Sequence, residues 1–160
     1  KGLQEGQKNY LALVRGYFNY EGTVTVDNPM KAKGKLKTAS SEVECLGRCH
    51  EPRSSLLLVR PRTGRFHQVR RHVRDLHHPI LHDGQHGDSK VNRWWRENRG
   101  LGRLGLHALS LSICRENGEK IEVNCPLFAD LARVMSELPW WEDALEKEPR
   151  LGLEPIWVDL

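Results

Sequence analysis

The 160-residue sequence predicts an α+β domain: a mixed, mainly antiparallel sheet with a few helices. Three observations carry this expectation. Short apolar or alternating runs lie between turn residues and are too short for helices: YLALVRGY at Tyr10–Tyr17, SLLLV at Ser55–Val59 and LGLHALSLSI at Leu104–Ile113. The pair Asn117-Gly118 accepts the positive φ angles of a type I′ turn, so the Leu104–Ile113 run pairs antiparallel with Ile121–Asn124. Two other segments repeat apolar residues at helical spacing: Phe66, Val69, Val73 and Leu76, then Leu127, Leu131, Val134 and Leu138.

In chain order, Lys1 to Gln7 is a polar start, and the first strand closes on Gly16. Glu21-Gly22 turns the chain into a short strand at Thr23–Val26. Met30–Thr38 alternates lysine with small or apolar residues. Extended, it would align Lys31, Lys33, Lys35 and Lys37 on one face, but Gly34 favours a basic loop. Glu42–Arg48 and Ser55–Arg60 pair antiparallel through Cys49-His50-Glu51-Pro52. Gly64 ends the second of these. A helix capped by Thr63 or Gly64 then runs to about Leu76, with Arg65 in its first turn and Arg70, Arg71 and Arg74 facing water or phosphate. His77–Gly87 is a loop, and Trp94-Trp95 sit in a helical turn. Pro126 opens the last helix and Pro139 stops it. Residues 1–139 thus form one unit, followed at 140–160 by an acidic tail that packs through its tryptophans.

Charge is distributed unevenly. The net charge is +4, yet Arg60–His78 carries six arginines against one aspartate, and Trp140–Leu160 carries four Glu and two Asp against one Lys and one Arg. A basic stripe of this density is the electrostatic footprint of a polyanion partner, although a solvated helix face explains a basic run by itself equally well. No segment is long enough for a membrane span and nothing at the start reads as a signal peptide, which points to a cytoplasmic location. Four cysteines in this length read as free thiols. Arg65 is the oddest residue: a cation in the first turn opposes the helix dipole, so either its head snorkels into water or it has a job.

Four ordered elements resemble the RluA-type RNA pseudouridine synthases. Thr63-Gly64-Arg65-Phe66-His67-Gln68-Val69-Arg70 with His72 resembles TGR-x-HQ-[IL]-R-x-H. His78-Pro79-Ile80-Leu81-His82-Asp83 resembles HPI-[LI]-GD, and Leu104-Gly105-Leu106-His107-Ala108 resembles L-x-LHA. Lys8 to Gly16 follows K-x-Y-x-A-x-V-x-G. His86-Gly87-Asp88 with Asn92-Arg93 is similar to the HGD-xxx-NR stretch of the TruC subgroup, which acts on tRNA. The resemblance covers about Lys8 to Phe128. Phe66 stands where Ser, Thr or Lys is usual, and His82 replaces a Gly. Tyr17–Ser54 is shorter than in TruC. The family's HRLD catalytic aspartate has no counterpart, since Asp27, Asp75, Asp83, Asp88, Asp130, Asp143 and Asp159 all stand in other contexts. The sequence therefore reads as the C-terminal portion of a synthase catalytic domain, truncated on its N-terminal side and inactive alone.

The resemblance implies that uridine in RNA, tRNA favoured over rRNA, is isomerised to pseudouridine. The target leaves the stack because its glycosidic bond is unreachable inside a helix. Tyr10 would hold the everted base and is a candidate proton acceptor, while Arg65 would steady the absent carboxylate or fill the gap left in the RNA. Val69 and Leu106 would form an apolar wall. Arg62, His67, Gln68, Arg70, Arg71, Arg74, Lys90, Arg93, Arg96 and His107 complete the RNA-binding set. No metal, no organic cofactor and no oligomeric partner are implied, so a monomer is expected. Taken singly, Tyr10, His67, Gln68, Arg70 and His107 are ordinary structural residues; only their joint match suggests chemistry. Two rivals stand beside this reading. One is an RNA-binding module without catalysis, holding phosphates through its arginines. The other is a zinc site from Cys45, Cys49, His50, His78, His82 and His86, which Pro79 and Gly84 disfavour by denying the histidines a helix.

Overall fold

The computed structural model describes residues 6–158. Its centre is a six-stranded sheet in the order β2-β5-β6-β1-β7-β8, every ladder antiparallel. The strands are β1 (Gln7–Arg15), β2 (Thr23–Val26), β5 (Ser41–His50), β6 (Arg53–Pro61), β7 (Leu106–Cys114) and β8 (Lys120–Asn124). The helices are α1 (Gln68–Asp75), α2 (Ser89–Arg99), α3 (Ala129–Ser136) and α4 (Trp141–Lys147), with a 3-10 turn at Pro149–Gly152. The α+β expectation holds, and the sheet is more uniformly antiparallel than expected.

Alternation along the two central strands explains the layering. Leu11 and Leu13 of β1, with Leu56 and Leu58 of β6, point to one face and join Leu131, Val134, Met135, Trp140 and Ala144. Ala12 and Val14, with Leu57 and Val59, point to the other and join Val69 and Val73 of α1. A sheet covered on both faces needs continuous apolar strands, which is why YLALV and SLLLV read as runs rather than as alternation. β5 and β6 turn at Glu51-Pro52, as the sequence suggested.

Several expectations are corrected. Met30–Thr38 is not a loop: β3 (Met30–Ala32) and β4 (Lys35–Lys37) form a separate hairpin. Lys33 and Gly34 at its turn both have positive φ, 50° and 76°, so Gly34 makes the hairpin turn rather than breaking a strand. α1 starts at Gln68 rather than beside Gly64, and its cap is His67 in the left-handed region. Phe66 therefore precedes the helix, stacks on His67 and is 77% exposed instead of completing the apolar stripe. Trp94-Trp95 belong to an 11-residue helix, capped by the Asp88 carboxylate, which accepts from the Lys90 and Val91 N–H groups. α3 begins at Ala129, not Pro126, with Phe128 as its cap.

Residues 140–152 fold onto the core. Trp140 is buried against Gly47, where any Cβ would lie 2.8 Å from the tryptophan, and its indole N–H donates to Ser54 Oγ at 3.2 Å. Trp157 is exposed. Among the described residues no helix is long and apolar enough to cross a membrane.

Candidate active site

The motif segments meet because β1 binds two loops through its backbone. The Leu13 N–H donates to Gly105 O at 2.7 Å, and Leu13 O accepts from the Leu81 N–H at 2.9 Å. Gly105 N–H in turn donates to Leu81 O at 2.9 Å. A Cβ at Gly105 would sit 3.0 Å from Leu13 O, so this close approach favours glycine. The pairing of β1 with β7 shifts between Asn9 and Tyr10, leaving Leu109 without a partner. Such a bulge re-aims side chains, and it lies directly beside Tyr10.

Tyr10 and Arg65 line one cleft of about 200 Å³, with Val69 and Leu106 as its apolar wall and Lys8, His67 and Arg70 at its rim. Among the described residues lining it, none is a carboxylate. Arg65 does not occupy a helical turn, so the dipole argument made for it from sequence fails. Its position is set otherwise. The Arg65 backbone N–H donates to Gln68 Oε1 at 3.0 Å, and its Nε–H donates to Thr38 O at 2.9 Å.

Gln68 is the hub that fixes this corner. Its amide donates to Ser40 O at 2.8 Å and to Ser41 Oγ at 2.9 Å, and its Oε1 also accepts from Thr63 Oγ at 2.7 Å. Buried and fully engaged, Gln68 has no capacity left for RNA, which corrects its place in the binding set. Buried His72 extends the network: Ser41 Oγ lies 2.9 Å from its Nδ1, and its Nε2 lies 3.0 Å from Asn28 O. Since a carbonyl can only accept, Nε2 carries the proton and Nδ1 accepts from Ser41.

Arg70 is likewise committed inward. Its Nε–H and Nη2–H donate to the two oxygens of Asp83 at 2.8 and 2.7 Å, and Asp83 is fully buried. Burial is the largest influence on Asp83 and pushes its pKa up. The Arg70 guanidinium and the N–H groups of His86 and Gln85 together outweigh it, lowering the pKa from 3.8 to about 2. The pair forms a wall. Arg70 lines the Tyr10 cleft, and Asp83 lines a second cleft of about 400 Å³ with His82, Asn92, Arg93 and Arg96.

The remaining binding candidates divide. Lys90, Arg93 and Arg96 are exposed on α2. Arg71 makes no ion pair among the described residues, whereas Arg62 pairs with Glu42 at 2.6 Å and Arg74 with Asp75 at 2.8 Å. His107 is on the wrong face. It is buried, its Nε2–H donates to Cys125 O at 2.9 Å, and its ring meets Phe128 edge-on. Burial pushes its pKa down, against the opposing pull of that hydrogen bond. A larger cleft of about 950 Å³ opens at the far end of α1, between Tyr17, His50, Arg53 and Trp94. Two of its arginines, Arg15 and Arg74, are held by Asp88 and Asp75. Among the described residues no three His, Cys, Asp or Glu side chains converge as a metal site would require. The Cys49 thiol donates to Pro52 O instead.

Sequence reading missed Thr38, Ser41, Asp83 and His86 as parts of this corner. Asp83 had a signal, a carboxylate in a quoted motif 13 residues after an arginine; Thr38 and Ser41 had none, because only the β5–β6 ladder brings them near.

Residues 3–75 match the RNA pseudouridylate synthase family. The chain is 34% identical over 154 residues to tRNA pseudouridine synthase C of Pectobacterium carotovorum subsp. carotovorum, an alignment covering 84% of this chain and 41% of that protein. It is 38% identical over 123 residues to tRNA pseudouridine synthase C of Pasteurella multocida, covering 64% and 50%. Human RNA Pseudouridylate Synthase Domain Containing 1 superposes with a TM-score of 0.65 at 25% identity, over 95% of this chain and 68% of that one. The chain spans 41% to 66% of the length of the curated relatives it matches. With the four motifs assembled around β1 in this fold, the chain is similar to the RluA-type RNA pseudouridylate synthases, the TruC-like proteins among them.

Proposed function

We propose that the parent protein isomerises uridine to pseudouridine in RNA, with tRNA the favoured substrate, and that this chain supplies the base pocket and the RNA-facing surface. The observation that carries the reading is the cleft shared by Tyr10, Arg65, Val69 and Leu106. In the reaction the N1–C1′ bond of the everted uridine breaks, the freed uracil turns, and C5 bonds to C1′. The C5 proton leaves and N1 ends protonated, so atoms balance without any co-reactant. Tyr10 stacks on or accepts a proton from the ring, and Val69 and Leu106 exclude water from it. Arg65 steadies a carboxylate contributed by residues outside these 160. A guanidinium already oriented by Thr38 and Gln68 loses little freedom in doing so. Arg71, Lys90, Arg93 and Arg96 contact phosphates and give salt-sensitive affinity. The names of the relatives support the tRNA preference. The enzyme works as a monomer in the cytoplasm.

The test uses the full-length parent on unmodified tRNA carrying tritium at uridine C5, with release to solvent as the readout. Arg65→Ala and Tyr10→Phe should each lower the rate by about a hundredfold or more while leaving the fold intact. Turnover within a few fold of wild type in either folded variant removes the role given to that residue. The absence of a carboxylate among the described cleft residues favours one second reading, in which this chain alone binds RNA without catalysis. That reading requires no tritium release from the parent protein either, together with RNA binding by the 160-residue chain that weakens as salt rises.

A further inference from the structure

Beside the cleft lies a group of donors that cannot all be satisfied within the protein. Arg70 Nη1 is 2.9 Å from His67 Nε2, and Arg74 Nη1 is 3.3 Å from His86 Nδ1. A guanidinium can only donate, so both of these imidazole nitrogens are acceptors. In the neutral tautomers the protons then sit on His67 Nδ1 and His86 Nε2. These two nitrogens face each other at 3.4 Å, donor against donor. Charge does not relieve the conflict, because every neighbour is a cation or is already engaged. Asp83 is consumed by Arg70 and by the N–H groups of Gln85 and His86. Arg74 also pairs with Asp75, at the exposed surface where such pairs are weak. Burial lowers the His86 pKa, with Arg70, Arg74 and His67 adding to this against the pull of Asp83. An acceptor oxygen about 2.8 Å from both imidazole nitrogens would resolve the arrangement. Phe66 stacks on His67, ring centroids 3.7 Å apart, and presents its other face to solvent.

We propose that His67, His86 and Arg74 clamp one phosphodiester of the RNA strand that enters the Tyr10 cleft, with Phe66 as the platform for the adjacent base. This rests on the RNA reading above and names the contact next to the everted nucleotide. His67 joins the two, since it lines the cleft and faces His86. An exposed phenylalanine on a basic ridge fits base stacking, which any base can supply.

The experiment uses the 160-residue chain, a fluorescein-labelled single-stranded RNA oligonucleotide and, separately, inorganic phosphate. Anisotropy reports affinity, and nitrogen-15 spectra of the imidazoles report the two histidines. His86→Ala should weaken oligonucleotide binding by about tenfold. Phe66→Ser should weaken it by a similar factor while leaving the phosphate-induced imidazole shifts unchanged, which separates a strand from a free anion. Phe66 is exposed and His86 is half-buried, and circular dichroism checks the fold of both variants. Wild-type affinity in folded His86→Ala, with binding still lost on Arg93→Ala, overturns the clamp and leaves the RNA reading standing. Phosphate shifts with no Phe66 effect reduce the site to a free-anion site and overturn the strand assignment. No oligonucleotide binding by the wild-type chain overturns both.

Discussion

Asp83→Asn isolates the buried pair that separates the two clefts. The substitution preserves shape but replaces one acceptor oxygen with an NH2 group that faces the Arg70 guanidinium, placing donor against donor. Asp83 is fully buried and Arg70 largely so. Breaking one partner of such a pair costs about 3–5 kcal/mol. An independent figure comes from proton linkage. Lowering the Asp83 pKa from 3.8 to about 2 corresponds to roughly 2 kcal/mol of stability at neutral pH. The sign follows from the direction of the shift. A carboxyl with a depressed native pKa stabilises the fold above its unfolded pKa, and that stability is lost as pH falls from about 4 through about 2. Urea unfolding of both proteins at pH 7, 5 and 3 is the assay. The variant should be about 3 kcal/mol less stable at pH 7, and the gap should narrow by pH 3. Equal stabilities at pH 7, or a gap that ignores pH, would refute the assignment of Arg70–Asp83 as a buried, charge-bearing wall.

Two further substitutions probe features that the sequence left open. Trp140→Ala removes a buried indole packed on Gly47 and should cost about 3–5 kcal/mol, read as a fall in Tm; an unchanged Tm would mean that residues 140–152 are not part of the core. His82 sits at φ 63° with its Nδ1 buried and unpartnered, so His82→Gly should raise stability by about 1 kcal/mol in urea. A loss of stability there would show that the imidazole makes a contact worth more than the backbone strain.

The motif match already contains the reason for the Gly that His82 replaces. The position needs a left-handed backbone, which glycine adopts freely and histidine adopts at a cost. Other residues show where sequence reasoning stops. Spacing placed Phe66 on the apolar stripe of α1, because a period cannot reveal where a helix begins. His67 caps the helix from the left-handed region, and Phe66 lies outside it. Arg70 was read as a phosphate ligand because its partner, Asp83, lies in a loop whose path the sequence does not give. His107, inside a matched motif, sits one residue from Leu106 and therefore on the opposite face of β7, since strand side chains alternate.

The sequence by itself determined the fold class, the six strands of the main sheet in chain order, the basic ridge and the family resemblance, because each depends on local period, turn chemistry or ordered motifs. Tertiary structure alone decided which basic residues are free. Arg65 and Arg70 look alike in the chain and both line the cleft beside Tyr10, yet Arg65 makes no ion pair among the described residues while Arg70 is spent on a buried carboxylate. That division rests on long-range approach in a low-dielectric interior, where a charge either finds its partner or is excluded, and no window of neighbouring residues encodes it.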